Sequence, residues 1–113
     1  FFLYEGIKIM AYIPTKVRRA ARTIGEQLRI QRKLMGLTAQ MVAERADITT
    51  VTLRRIEQGE SVRTDVLFRV LRVLGMLDAV VTATDPYLTD VGRLRASEKL
   101  PKSVRIPKSE MGW

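Results

Sequence analysis

Apolar side chains recur along residues 23–84 at the three- and four-residue spacing of amphipathic helices, and polar breaks cut the run into five short elements. Thr23, with Glu26 three residues on, reads as a capping box, so a first helix is expected from about Ile24 to Met35. Its inward side would be Ile24, Leu28 and Met35, with Gln31 and Arg32 between them, and Gly36 would be its left-handed stop. Thr38 reads as the N-cap of a second helix, about Ala39 to Ala46, with Val42, Ala43 and Ala46 inward. After a turn at Asp47-Ile48-Thr49, a third helix is expected over about Thr50 to Gln58, burying Leu53 and Ile56 and ending at Gly59. A fourth, about Thr64 to Leu74, opens at Thr64-Asp65 and stops before Gly75, and a fifth covers about Met76 to Ala83.

The fourth helix has too many apolar positions for one face. Leu67, Val70, Leu71 and Leu74 form one stripe, while Val66, Phe68, Val73 and then Leu77 form a second that a monomer would leave uncovered. That pattern predicts a dimer contact through Val66, Phe68, Val73 and Leu77. Beyond the fifth helix, Asp85-Pro86 reads as the cap and first turn of one more short helix, reaching to about Leu100, before a basic tail containing Pro101 and Pro107. Before the first helix, Ile7, Ile9, Ala11 and Ile13 alternate with Lys8, Met10 and Tyr12, which fits either an extended segment pairing with another chain or disorder. A start at Met10 with upstream residues before it is equally compatible, and a signal peptide is not expected because Glu5 and Lys8 interrupt the apolar run. The organisation read from this pattern is an N-terminal arm (1–22), a helical domain (23–84), and a short helix with a basic tail (85–113).

With 113 residues, 46% of them apolar, the chain suits one small core with flanking segments. It has neither cysteine nor histidine, which excludes disulfide scaffolds, Cys/His zinc sites, haem ligation by His, and Cys-His or Ser-His catalysis. No metal or cofactor is expected, and dispersed carboxylates with no Gly-rich phosphate loop argue against an enzyme. Charges interrupt every apolar run well short of the roughly 18–20 residues of a membrane span, so a soluble, cytoplasmic protein without membrane association is expected. The net charge of +8 is unevenly placed. Residues 1–33 carry eight basic and two acidic side chains, residues 34–92 six and eight, and residues 93–113 six and two. Basic flanks around a near-neutral centre fit a protein that clasps phosphate backbones, although the same charge also serves solubility.

Two short helices joined by a tight turn, with a small residue in the first and an apolar residue in the turn, form a helix-turn-helix. Ala43 is that small residue, Ile48 is the apolar plug, and Asp47 stands where a left-handed Gly is usual. The stretch from Leu37 to Gly59, followed by a helix ending Val73-Leu74-Gly75, resembles the Xre/Cro-type helix-turn-helix of the lambda-repressor-like fold over roughly residues 23–75. The resemblance implies an all-α, five-helix DNA-binding domain, here with basic N- and C-terminal extensions. It departs from the family at the start of the second helix, where Ala39 followed by Gln40 replaces a phosphate-anchoring Gln.

By that resemblance the start of the third helix lies in the major groove, placing Thr50, Val51 and Thr52 near base edges and Arg54 and Arg55 one turn on. The chemistry suits it: Arg binds guanine bidentately, Thr reaches several bases, and Val contacts a thymine methyl. Thr38, Gln40 and Thr49 at helix starts would contact phosphates, as would Arg18, Arg19 and Arg22 of the arm. Taken alone, outside this motif, Arg54-Arg55 reads first as a solvated helix face. Arg32 and Glu57 resemble a structural salt bridge of the family tying its first and third helices; the alternative is two solvated charges.

The function implied is a dimeric, sequence-specific transcriptional regulator binding a pseudo-palindromic operator in double-stranded DNA. Residues 85–105 further resemble regulators encoded beside HipA-like kinase toxins, which implies an autorepressing, HipB-like antitoxin with such a toxin as partner. The competing readings are a stand-alone repressor and a nucleic-acid-binding adaptor without sequence choice; the seven scattered aromatics (three Phe, three Tyr, one Trp) offer little stacking surface for the latter.

Overall fold

A computed structural model describes residues 13–98 and 100–104. Among the described residues there are six α-helices, one 3-10 helix and no strand: α1 (Thr15–Leu34), α2 (Ala39–Ala46), α3 (Thr50–Glu57), α4 (Thr64–Val73), α5 (Leu77–Ala83), the 3-10 helix (Pro86–Leu88) and α6 (Asp90–Leu94). The all-α class and the order of five helices expected between residues 23 and 84 are both present. The chain divides into two compact units, one ending at Val80 and the other beginning at Val81.

The first helix departs most from expectation. It begins at Thr15, with Pro14 at the N-cap position, so the basic stretch Lys16–Arg22 is part of the first helix and not an arm before it, and the Thr23/Glu26 capping box is not formed. Pro14 cannot continue a helix on its N-terminal side, whereas Lys, Arg and Ala after it are good helix formers. Tertiary contact holds this extension, because the backbone of Ala21 and Arg22 packs directly against Gly59 at the end of α3. The inward face also differs. Leu28 and Gly25 are buried and Gln31 and Arg32 half-buried, while Ile24 and Met35 are exposed. The core-facing stripe of α1 therefore contains a glycine and two polar residues. Gln31 Nε2 donates to the Leu74 carbonyl (3.1 Å), which satisfies one of the orphan carbonyls at the end of α4.

The core joins Leu28 of α1, Val42 and Ala46 of α2, Leu53 and Ile56 of α3, and Val70, Leu71 and Leu74 of the α4 segment. Gly25 allows α1 to lie flush on the end of α3: a Cβ there would run into the Ile56 carbonyl oxygen and come within 2.7 Å of that of Glu57. Helix α4 opens after Arg63, with no side-chain cap from Thr64 or Asp65. Its second stripe is only partly uncovered. Val66, Val73 and Leu77 are half-buried against the core, contrary to the expectation that a monomer leaves Leu77 exposed, and Phe68 alone of the four is exposed. The turn from α4 into α5 brings Leu77 back onto the same core that α4 covers.

In the second unit the single helix expected to reach Leu100 is two short pieces. Asp85 caps the 3-10 turn by accepting from Tyr87 N (3.0 Å), and Thr89, in an extended conformation, then restarts the chain by accepting from Gly92 N (3.0 Å). Thr89 also donates to the Pro86 carbonyl (2.6 Å), and Gly92 packs so close to that carbonyl that a Cβ would collide with it. The expectations for residues 7–12 and for the tail from Arg105 onward lie outside the described residues.

Candidate nucleic-acid interface

Two threonine caps and one left-handed residue set the geometry of α2, its turn and α3. Thr38 Oγ1 accepts from Met41 N and Thr49 Oγ1 from Thr52 N, both at 3.1 Å, so each helix opens with a side chain closing its first turn. Between them Asp47 takes φ 56°, ψ 50°, a conformation open to Asp at modest cost, and Ile48 N then bonds back to the Ala43 carbonyl (2.9 Å). Ala43 is buried, and Ile48 packs half-buried against the core. Gly59 ends the motif at φ 81°, where a side chain would strain the backbone and also meet Arg22.

Because Leu53 and Ile56 point into the core, the periodicity of α3 turns the opposite side outward. Val51 sits at the centre of that side and is 63% exposed. Thr52 and Arg55 lie on one flank, sharing a concavity with Ser61, Arg63 and Val66. Among the described residues the Arg55 side chain pairs only with exposed Glu60, Nε to Oε1 at 3.4 Å, which leaves its guanidinium available. Thr50 and Arg54 lie on the other flank, and Arg54 shares a second concavity with residues of α1 and the start of α2. The five residues expected at base edges thus divide between two flanks of one outward face.

Arg32 and Glu57 meet as a bidentate pair. Arg32 Nε donates to Glu57 Oε2 at 2.8 Å and Nη2 to Oε1 at 3.2 Å, while Nη1 donates to the Leu37 carbonyl at 3.2 Å. The two side chains are only 11% and 7% exposed, so the pair lies out of bulk water and screens little with salt. It fastens the last turn of α3 to α1 and to the loop that leads into α2.

Gln40 and Thr38 are exposed at the start of α2, Thr49 at the start of α3, and Arg18, Arg19 and Arg22 along the first turns of α1. These basic residues stand on the first helix and not on an arm before it. Three polar residues of the two concavities are not marked by the sequence alone: Ser61 and Arg63 beside Arg55, and Arg29 beside Arg54. A signal for Arg29 exists in the chain. Arg18, Arg22, Arg29 and Lys33 fall on one helical stripe, but only once the helix is known to start at Thr15. Among the described residues, no helix is long and apolar enough to cross a membrane, and no group of three or more Asp or Glu could hold a metal ion.

No curated protein and no solved structure matches the chain. The helix-turn-helix domain family matches residues 23–83, more than half the chain and all of α2 and α3. The chain therefore belongs to the helix-turn-helix domain family, and its folded domain is that of a DNA-binding regulator.

Proposed function

We propose that this protein is a sequence-specific transcriptional repressor that binds duplex DNA as a twofold dimer, with the start of α3 in the major groove. The carrying observation is the outward face of α3, where exposed Val51 is flanked by hydroxyl and guanidinium groups on a helix held from behind by Leu53, Ile56 and the Arg32–Glu57 pair. Thr50, Val51, Thr52 and Arg55 read base edges, with Arg55 as the bidentate donor. Thr38, Gln40 and Thr49 meet phosphates at two helix starts, where backbone N–H groups also face outward, and Arg18, Arg19 and Arg22 neutralise the neighbouring backbone. No cofactor enters this reading.

The dimer contact runs through Phe68 and the exposed edges of Val66, Val73 and Leu77. A twofold pair would set its recognition helices about 34 Å apart, one helical turn of DNA. Footprinting on a duplex enriched by the protein should then show two protected half-sites one turn apart, and a single protected site would refute the twofold arrangement. Phe68→Glu should shift the protein toward monomer in sedimentation and weaken binding to the two-half-site duplex more than to a single half-site. Equal weakening on both would remove Phe68 from the contact. An antitoxin role beside a HipA-like kinase rests on the resemblance of residues 85–105, and co-purification with the product of an adjacent kinase-like reading frame tests it.

A further inference from the structure

We infer that Arg29 and Arg54 form a clamp for one backbone phosphodiester of duplex DNA, so that Arg54 positions the protein and does not read sequence; this rests on the DNA-binding reading above. The two arginines line one concavity of about 390 Å³ where α1, the start of α2 and the end of α3 converge. Of its other charged groups, Glu26 pairs with Arg29, and Arg32 and Glu57 engage each other. Arg32 and Glu57 satisfy each other through two hydrogen bonds, and the third Arg32 donor goes to the Leu37 carbonyl.

The Arg54 guanidinium has no ion-pair or hydrogen-bond partner among the described residues. Among the described residues the only side-chain partner of Arg29 is Glu26, at 3.1 Å, with the two side chains 44% and 53% exposed, a pairing weak enough to be exchanged for a phosphate. Ala39, first residue of α2, closes the site with a methyl group, and this leaves room between the arginines. Its N–H precedes the first intrahelical hydrogen bond and is one more donor. Two forked cations beside a small neutral residue suit an oxyanion with several acceptor oxygens.

The surroundings select a polyanion over a free ion. Arg22 and Arg18 continue the stripe from Arg29 toward the start of α1, and Lys33 extends it the other way, so further phosphates of the same strand meet further charges. Two exposed arginines bind a lone phosphate poorly, whereas a duplex docked by α3 delivers one in register. Arg54 stands one turn after Thr50 on the same flank of α3, which is where the backbone bordering the groove would pass.

The test uses the full chain, a short duplex that the wild type enriches from a random pool, and a random-sequence duplex. Affinity is followed between about 50 and 200 mM KCl. Arg29→Ala/Arg54→Ala should lower the slope of log affinity against log salt by about 0.9 per bound chain, and affinity by roughly fivefold near 0.15 M salt. The loss should be equal on both duplexes, with the enriched sequence and the helix content unchanged. Glu26→Gln, which frees Arg29, should raise affinity on both. Arg45→Ala/Arg72→Ala removes the same charge elsewhere in the domain and should change the slope by clearly less. An unchanged slope, a changed enriched sequence, or an equal loss in the Arg45/Arg72 control overturns the clamp while leaving DNA binding intact. A wild type that binds neither duplex overturns both readings.

Discussion

Glu57→Ala should cost about 3–5 kcal/mol of folding stability, because it strands the Arg32 guanidinium in a site that is 11% exposed. Coulomb attraction lost across 2.8 Å is the smaller part of the penalty; the larger part is a largely desolvated cation with two of its donor nitrogens unpaired. For a folded unit of this size that corresponds to a fall in Tm of about 20–35 °C. Arg32→Ala should cost a similar amount, since it also frees the Leu37 carbonyl. The double variant should cost much less than the sum, because each single change already destroys the whole arrangement. Arg32→Met/Glu57→Leu, which fills the space without charge, should recover most of the loss. Additive single changes in thermal denaturation would show that the two side chains contribute independently. Since the pair ties the end of α3 to α1, the single variants should also lose operator affinity at temperatures where they remain folded.

Gly25→Val should be the next most damaging change, at about 3 kcal/mol, the upper end of overpacking costs. The obstacle to a side chain is backbone, namely the carbonyl groups of Ile56 and Glu57, so it cannot be relieved by rotating a neighbour. To accept valine, α1 must move off α3, which pulls Arg32 from Glu57 and Ala21 from Gly59. Gly25→Ala gains about 1 kcal/mol of helix propensity and so should be milder, though still destabilising. Denaturant unfolding distinguishes the cases: a Gly25→Val protein as stable as wild type would mean that the helices approach less closely than described.

These two sites also show where the sequence is legible. The helix-turn-helix is written in local signals: a Thr before α2 and another before α3, an Asp able to turn left-handed, a Gly to stop, and apolar residues at helical spacing. Each acts within a few residues, so the boundaries of α2 and α3 follow from the chain to within one position. The start of α1 is different. Pro14 and the Lys, Arg and Ala after it permit a helix between Thr15 and Arg22 without requiring one; what holds this stretch in place is contact with Gly59, more than thirty residues away. The same long-range packing explains why Gly25, Gln31 and Arg32 face inward while Ile24 and Met35 do not, since shape and hydrogen bonding outweigh hydrophobicity there. Arg29 stays hidden for the same reason: its neighbourhood with Arg54 exists only after α1 docks on α3. Two short pieces after Thr84, where one helix is expected, reflect a threonine cap inside the segment that the reading from Asp85-Pro86 passes over.

The reading of α3 as the sequence-selecting element is tested most directly by enrichment of duplexes from a random pool with the wild type and with Arg55→Ala. The wild type should enrich a pseudo-palindromic sequence with two half-sites one helical turn apart. Arg55→Ala should bind that sequence about 1–3 kcal/mol more weakly and lose preference at one base pair in each half-site, keeping the others. A wild type that enriches nothing, or an Arg55→Ala protein that enriches the same sequence with undiminished preference at every position, would contradict it.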